Sequence, residues 1–259
     1  METQTTDPAL YDVIVIGGGP AGTTCATLLT QRGHRVLLVE KGQHPRFCIG
    51  ESLLPATEPV WRELGVYDRI KEAGVIPKYG AYFTYADGAK PEYFHFPDSA
   101  GQKMGHAFEV PRDVFDKLLW DRAVEVGATC VDLTRVRRVL FEGDRATGVE
   151  IEDSSGAREV RARLVLDCSG RTTLLGKQLE IRGPEPFLDK VAIFTHYTDV
   201  VRSTGEDAGT IGIVATDFGW NWFIPFAAGS ASVGAVMHNA WFKERKARGW
   251  DKEQIWDEI

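Results

Sequence analysis

The sequence predicts an α/β protein, with a doubly wound parallel-sheet domain and a second, sheet-rich unit. Three observations predict it. The apolar, β-branched run Asp12-Val-Ile-Val-Ile16 enters a glycine-rich turn and is followed by apolar residues at helical spacing. A second buried run, Arg35 to Glu40, closes on an acid, and strand signals dominate from Val191 to Met237. With 259 residues, 43% hydrophobic and 26% charged, the chain can bury one large core or two modest ones.

Taken in order, the first strand and Gly17-Gly-Gly19-Pro-Ala-Gly22 lead into a helix marked by Ala26, Leu28 and Leu29, which stops at Arg32-Gly33. After Glu40 comes an irregular stretch from Lys41 to Pro55. Two short amphipathic helices then follow, about Pro55 to Leu64 and Tyr67 to Ala73. Tyr79 to Tyr85 and Glu92 to Phe96 are aromatic-rich strands about a turn at Asp87-Gly88. Pro111 to Gly127 carries Val114, Phe115, Leu118, Leu119, Ala123 and Val126 at helical spacing. A meander of Val136–Leu140, Ala146–Glu152 and Ala157–Val160 precedes another buried strand, Arg163 to Asp167, that closes on an acid; Trp250 to Ile259 reads as a helix. The expected division is a discontinuous nucleotide domain, 1–79 and 107–183, and a substrate domain, 80–106 and 184–259.

Charge narrows the partners. The formal net charge is −7 and Lys and Arg are scattered, so no electrostatic footprint for nucleic acid exists. Met1 to Asp12 is polar and acidic, and no run reaches the ~18 apolar residues of a membrane span, so a cytoplasmic protein without a membrane span is expected. Cys25, Cys48, Cys130 and Cys168 show no metal-ligand spacing and are read as reduced thiols, mostly in the core. No metal site is expected.

In Gly17-x-Gly19-x-x-Gly22 the first glycine permits the turn, the second lets the backbone approach a pyrophosphate, and the third lets helix and strand pack closely. Glu40 lies 18 residues beyond Gly22, where a carboxylate accepts both ribose hydroxyls of a dinucleotide. The same glycines in a turn without a ligand are the plain alternative. Two further segments, Arg112 in Val110-Pro-Arg-Asp-Val-Phe-Asp-Lys-Leu-Leu119 and Asp167-Cys-Ser-Gly170-Arg171, resemble the other flavin contacts of single-component flavoprotein hydroxylases. The resemblance implies a Rossmann-like domain of the hydroxylase type with FAD in an extended pose, Arg112 toward the flavin and the Asp167–Gly170 turn near the pyrophosphate. Cys168 stands where that family more often has Ala. Taken singly, Asp167 also reads as a helix N-cap and Arg112 as a surface residue. One fingerprint and no dithiol count against the disulfide reductases, and reducing equivalents are expected from a separate flavin reductase.

Three strings narrow the family further: Trp220-x-Trp222-x-Ile224-Pro225, Gly50-Glu51-Ser52-Leu-Leu-Pro55 and Lys78-Tyr79-Gly80. Together they resemble the flavin-dependent halogenases, in wording closer to those of phenols and pyrroles than of free tryptophan. The resemblance implies FADH2- and O2-dependent halogenation of an electron-rich aromatic, free or tethered to a carrier protein, with halide as co-substrate. A flavin hydroperoxide would oxidise halide to hypohalous acid, and Lys78 would relay the halogen, because burial readily shifts a lysine pKa. Trp220 and Trp222, two apart on a strand and so on one face, would keep substrate off the flavin; two core tryptophans are the plain alternative. Glu51 and Ser52 read either as flavin or halide contacts or as a capping pair for the Pro55 helix. Lys78 reads either as that relay or as a solvated lysine at a strand start. The family's later segments, including its halide turn and an acidic residue, have no counterpart before Ile259, so a truncated halogenase is expected. A monooxygenase or reductase of the same fold, or a non-catalytic flavin- or partner-binding fragment, are the competing readings.

Overall fold

A computed structural model describes residues 10–88, 90–98 and 105–259. Its strands are β1 (Tyr11–Ile16), β2 (Val36–Val39), β3 (Ile76–Lys78), β4 (Gly80–Tyr85), β5 (Glu92–His95), β6 (Ala107–Glu109), β7 (Thr129–Val131), β8 (Arg135–Glu142), β9 (Arg145–Asp153), β10 (Gly156–Asp167), β11 (Lys190–Tyr197), β12 (Ile211–Thr216), β13 (Gly219–Pro225) and β14 (Ala231–His238). The helices are α1 (Pro20–Gln31), α2 (Glu58–Leu64), α3 (Tyr67–Glu72), α4 (Arg112–Glu125), α5 (Leu174–Gln178), α6 (Asn239–Ala247) and α7 (Lys252–Glu258). Among the described residues no helix is long and apolar enough to cross a membrane.

The chain forms two compact units. The first comprises the described residues up to 49, Arg62–Arg69 and Arg112–Gly183; the second comprises those of Gly50–Trp61, Ile70–Pro111 and Pro184–Ile259. These boundaries differ from the expected ranges. Residues 50–61, 70–79 and 107–111 join the second unit because β3 pairs antiparallel with β6, Ser52 bridges Glu109, and Leu53 and Val110 exchange backbone hydrogen bonds with Phe108 and Glu51.

The sheet of the first unit runs β7-β2-β1-β10-β9-β8. Parallel strands are covered on both faces, which is why β1 and β2 are unbroken apolar runs. Val13, Val15, Val36 and Leu38 face one cluster with Ala26 of α1 and Trp120 and Ala123 of α4. Ile14, Ile16, Leu37 and Val39 face another, closed by Val136, Val139, Val149 and Ile151 of β8 and β9. The short meander strand and the buried strand after it are one twelve-residue strand, β10. Its first half pairs antiparallel with β9 and its second half parallel with β1, the exchange falling at Arg161–Ala162. Cys25, Cys130 and Cys168 are half-buried around the cluster beneath α1 and α4.

In the second unit the sheet order is β11-β14-β13-β12-β4-β5. One face holds Ala81, Ile211, Trp222, Ile224 and Phe226; on the other, Ala235 and Met237 pack with Ile255 of α7 and Trp241 and Phe242 of α6. Helix α6 had no counterpart among the sequence expectations. Its run Asn-Ala-Trp-Phe-Lys-Glu-Arg-Lys-Ala is too short and too charged to show a helical apolar stripe.

Candidate functional site

The glycine turn between β1 and α1 is fixed by what surrounds it. Gly17 has φ +104°, and a Cβ there would stand 2.5 Å from the carbonyl oxygen of Cys168; one on Gly22 would collide with the Gly17 carbonyl. Gly19 faces open space, its nearest neighbour being Arg46 Nη2 at 3.7 Å. It is the N-cap of α1, with no side chain bonded to the first-turn N–H groups and no acid in that turn. Those donors and the helix dipole suit a pyrophosphate.

Glu40 is buried beside this turn. Its Oε2 accepts the Gly18 N–H at 2.7 Å and its Oε1 the Gly42 N–H at 2.8 Å. Each oxygen keeps a lone pair for a ribose hydroxyl, so these residues fit a dinucleotide such as FAD. Arg46, which sequence reasoning missed, lies 3.7 Å from Glu40 and 3.6 Å from Asp116. His44 donates its Nε2–H to the Gly18 carbonyl, 3.0 Å away, and lies against the Trp120 ring. Burial, then the Arg46 charge, pushes its pKa down, so the ring is neutral near pH 7.

Arg112 is no surface residue. Its guanidinium grips the buried Asp116 carboxylate with two bonds of 2.6 and 2.9 Å and donates to the Ile49 carbonyl at 2.7 Å, tying α4 to the loop after β2. Asp167 closes the turn after β10: Oδ1 accepts the Ser169 N–H at 3.0 Å and Oδ2 the Leu175 N–H at 2.8 Å. Burial acts to raise its pKa, but these hydrogen bonds outweigh it and hold the carboxyl below its ordinary range. Gly170, at φ +58°, turns the chain where a side chain would be strained.

A second polar group lies wholly within the second unit. Lys78, at the end of β3, is only 3% exposed. Its Nζ donates to Ser52 Oγ at 2.6 Å and to the Leu53 carbonyl at 3.1 Å, and stands 3.9 Å from Glu109 Oε1 and 5.3 Å from the centre of the Phe96 ring. Ser52 in turn donates to Glu109 Oε1 at 3.0 Å. Burial lowers the Lys78 pKa against the opposing pull of Glu109, and burial raises that of Glu109 to about 8. Glu51, also buried, accepts from His196 Nε2 at 2.8 Å.

The structure therefore binds Lys78 and Ser52 into one cluster. It places Glu51 on His196 and leaves neither Glu51 nor Ser52 as a cap: the N-cap before Pro55 is Leu54, without a side-chain bond. The solvated reading of Lys78 fails on its burial. Glu109 was missed, although Phe-Glu-Val among apolar residues is the kind of isolated acid that only a buried partner accommodates.

Trp220 and Trp222 share one face of β13 with ring centres 5.9 Å apart. They differ in depth. Trp222 is 8% exposed, donates its Nε1–H to Ser232 Oγ at 3.1 Å and lies over Gly234, where any Cβ would strike its ring; Trp220 is 38% exposed. Trp222 is thus core, while Trp220 offers a free indole face.

These features agree with what the chain resembles. An FAD binding domain family model matches residues 10–259. The flavin-dependent halogenase armH3 of Armillaria mellea is 33% identical, over 96% of this chain and 50% of its own. The 1H-pyrrole-2-carbonyl-[peptidyl-carrier protein] chlorinase of Pseudomonas fluorescens is 31% identical, over 87% of this chain and 55% of its own. Among solved structures, the myxobacterial chondrochloren halogenase CndH superposes with a TM-score of 0.84 at 36% identity, over 92% of this chain and 55% of that one. The chain spans about half the length of these relatives. With a glycine turn, a buried Glu40 beside it and a family match over residues 10–259, the chain belongs to the FAD binding domain family and is similar throughout to flavin-dependent halogenases.

Proposed function

We propose that the chain carries the FAD site and the halogen-transferring lysine of an FADH2- and O2-dependent halogenase. Its substrate is an electron-rich aromatic, a phenol or a pyrrole, free or tethered to a carrier protein, and a separate flavin reductase delivers FADH2. One observation carries the reading: a lysine sealed from water against a hydroxyl and a carboxylate, in a chain similar to halogenases. An exposed ammonium is hydrated, whereas burial favours the neutral amine and lowers the pKa of Lys78.

Gly17, Gly19, Gly22, Glu40 and the Asp167–Gly170 turn hold the dinucleotide, and Arg112 fixes the backbone around it through Asp116 and Ile49. Bound in reduced form, FAD would supply the two electrons that take O2 to the peroxide level, and that oxygen would in turn take two electrons from halide to give hypohalous acid. Lys78 takes up the halogen on its amine and releases it to the aromatic carbon. Glu51 and His196 brace the segment that carries Ser52, and Trp220, backed by Trp222, limits hydroxylation of substrate in place of halogenation.

The test supplies FADH2 from a flavin reductase, O2, chloride or bromide and a panel of phenols and carrier-bound pyrroles, and follows product mass and halide consumption. Lys78→Ala is expected to lower halogenated product by ~10²–10⁴ while flavin binding persists. Oxygenated product with no halide consumed would make the protein a flavin monooxygenase instead.

A further inference from the structure

We infer that Ser52 and Glu109 form a proton relay that takes the proton from Lys78 and returns it during halogen transfer, with Glu109 as the acceptor and donor. This rests on the reading of Lys78 as the halogen-carrying amine. The geometry is directional: Lys78 Nζ donates to Ser52 Oγ at 2.6 Å, and the same oxygen donates its own proton to Glu109 Oε1 at 3.0 Å. Glu109 is fully buried, and its second oxygen has no hydrogen-bond partner among the described residues. A carboxylate with one unsatisfied oxygen in an apolar site is costly, and protonation relieves that cost.

The charged surroundings favour the exchange. Among the described residues Glu109 is the one acidic side chain within ion-pair distance of Lys78, and the Phe96 ring centre lies 5.3 Å from its Nζ. Glu51 stands near enough to Glu109 to repel its negative charge, while its own carboxylate bonds to His196. The segment Gly205–Gly209, packed on β3, carries Glu206 and Asp207, and Asp207 lies near enough to Tyr82 and Tyr93 to add to the rise that burial gives their pKa values. Just before β6 the neighbouring ionisable ring, His106, lies against Tyr79 and Phe108. Burial thus pulls both members of the pair toward their neutral forms, and their mutual attraction pulls the other way.

The steps balance. A proton passes from the Lys78 ammonium to Ser52 Oγ as the Ser52 proton passes to Glu109, giving a neutral amine and a neutral acid. The amine lone pair attacks the halogen of hypohalous acid; the N–halogen bond forms, the O–halogen bond breaks, and the departing hydroxide takes a proton from nitrogen to leave as water. The aromatic carbon then takes the halogen, nitrogen keeps the bonding pair and receives a proton from Glu109 through Ser52, and the ring proton goes to solvent, which reprotonates Glu109.

Two measurements test this. The first labels lysine Cε with ¹³C in the 259-residue chain, assigns Lys78 by its loss in Lys78→Arg, and follows its shift against pH. The Lys78 midpoint is expected below that of free lysine and a further ~1–3 units lower in Glu109→Gln, where the ammonium loses its counter-charge. An unchanged midpoint in Glu109→Gln would overturn the coupling. The second measures product in the halogenating form of the protein: Ser52→Ala should cost ~10²–10⁴ in rate, and Ser52→Thr, which keeps the hydroxyl, should recover most of it. Normal product from Ser52→Ala or from Glu109→Gln would overturn the relay. Undiminished product from Lys78→Ala would instead remove the lysine reading, whatever the titration shows.

Discussion

Glu40 holds two backbone N–H groups and fixes the glycine turn proposed to meet the dinucleotide. Glu40→Ala leaves both donors without a partner at about 1–3 kcal/mol each and removes both ribose acceptors. FAD affinity, read by quenching of flavin fluorescence, should fall at least about tenfold; unchanged affinity would exclude Glu40 from the site. Glu109 makes a separate prediction through pH. Its folded pKa, about 8, lies above the ordinary 4.5, so the folded state binds a proton that the unfolded state has released. Its contribution to stability is present below about pH 4.5 and is lost as pH rises through about 8. The melting temperature of the native chain, relative to Glu109→Gln, should therefore fall across that window, and parallel curves would refute the shift. At this scale Gly17, Gly22 and Glu40 were legible because a turn and a strand end are local features. Glu109 was not, because its partner Lys78 lies 31 residues away and meets it only through the β3–β6 pairing.

At the scale of elements, β13 carries one buried and one exposed tryptophan within one motif. Trp222 is enclosed by Phe194, Ile224 and Gly234, so Trp222→Ala should destabilise the second unit by about 3–5 kcal/mol and is a poor probe of chemistry. Trp220 is more than a third exposed, so Trp220→Ala should leave thermal melting nearly unchanged while shifting product from halogenated toward oxygenated aromatic. Equal loss of stability in both variants would make the pair a plain core feature. The spacing showed that both indoles share a face, but burial depends on what lies across that face, which a single strand does not encode. The same limit hid β3, β6 and the continuity of β10. Three-residue strands carry too little alternation to be read, and β10 changes partner at Arg161–Ala162, where β9 gives way to β1, without any break in its backbone.

For the molecule as a whole, the two units draw on interleaved segments, so neither can be cut out as one stretch of sequence. The βαβ core of the first unit was readable because its parallel strands are buried on both faces and therefore uniformly apolar. Ownership of residues 50–61 and 70–79 was not, since it is decided by hydrogen bonds to residues 107–110. This arrangement bears on what the 259-residue chain does by itself. The Gly17–Gly22 turn, Glu40 and the Asp167 turn, proposed to hold the dinucleotide, all belong to the first unit, and a ligand that binds the folded state at 100 times its Kd stabilises it by about 2.7 kcal/mol. FAD should accordingly raise the melting temperature and slow amide exchange at residues 17–22 and 167–170. Halogenation is a different matter. Lys78 is buried, its Nζ engaged by Ser52, the Leu53 carbonyl and the Phe96 ring, so an aromatic substrate has no direct approach to it, and the halogenase relatives are about twice this length. The chain expressed alone is therefore expected to bind FAD, more weakly than those relatives, and to give no halogenated product with FADH2, O2 and halide. Product formed at an enzyme-like rate by these 259 residues would show that Lys78 opens to substrate without any further part.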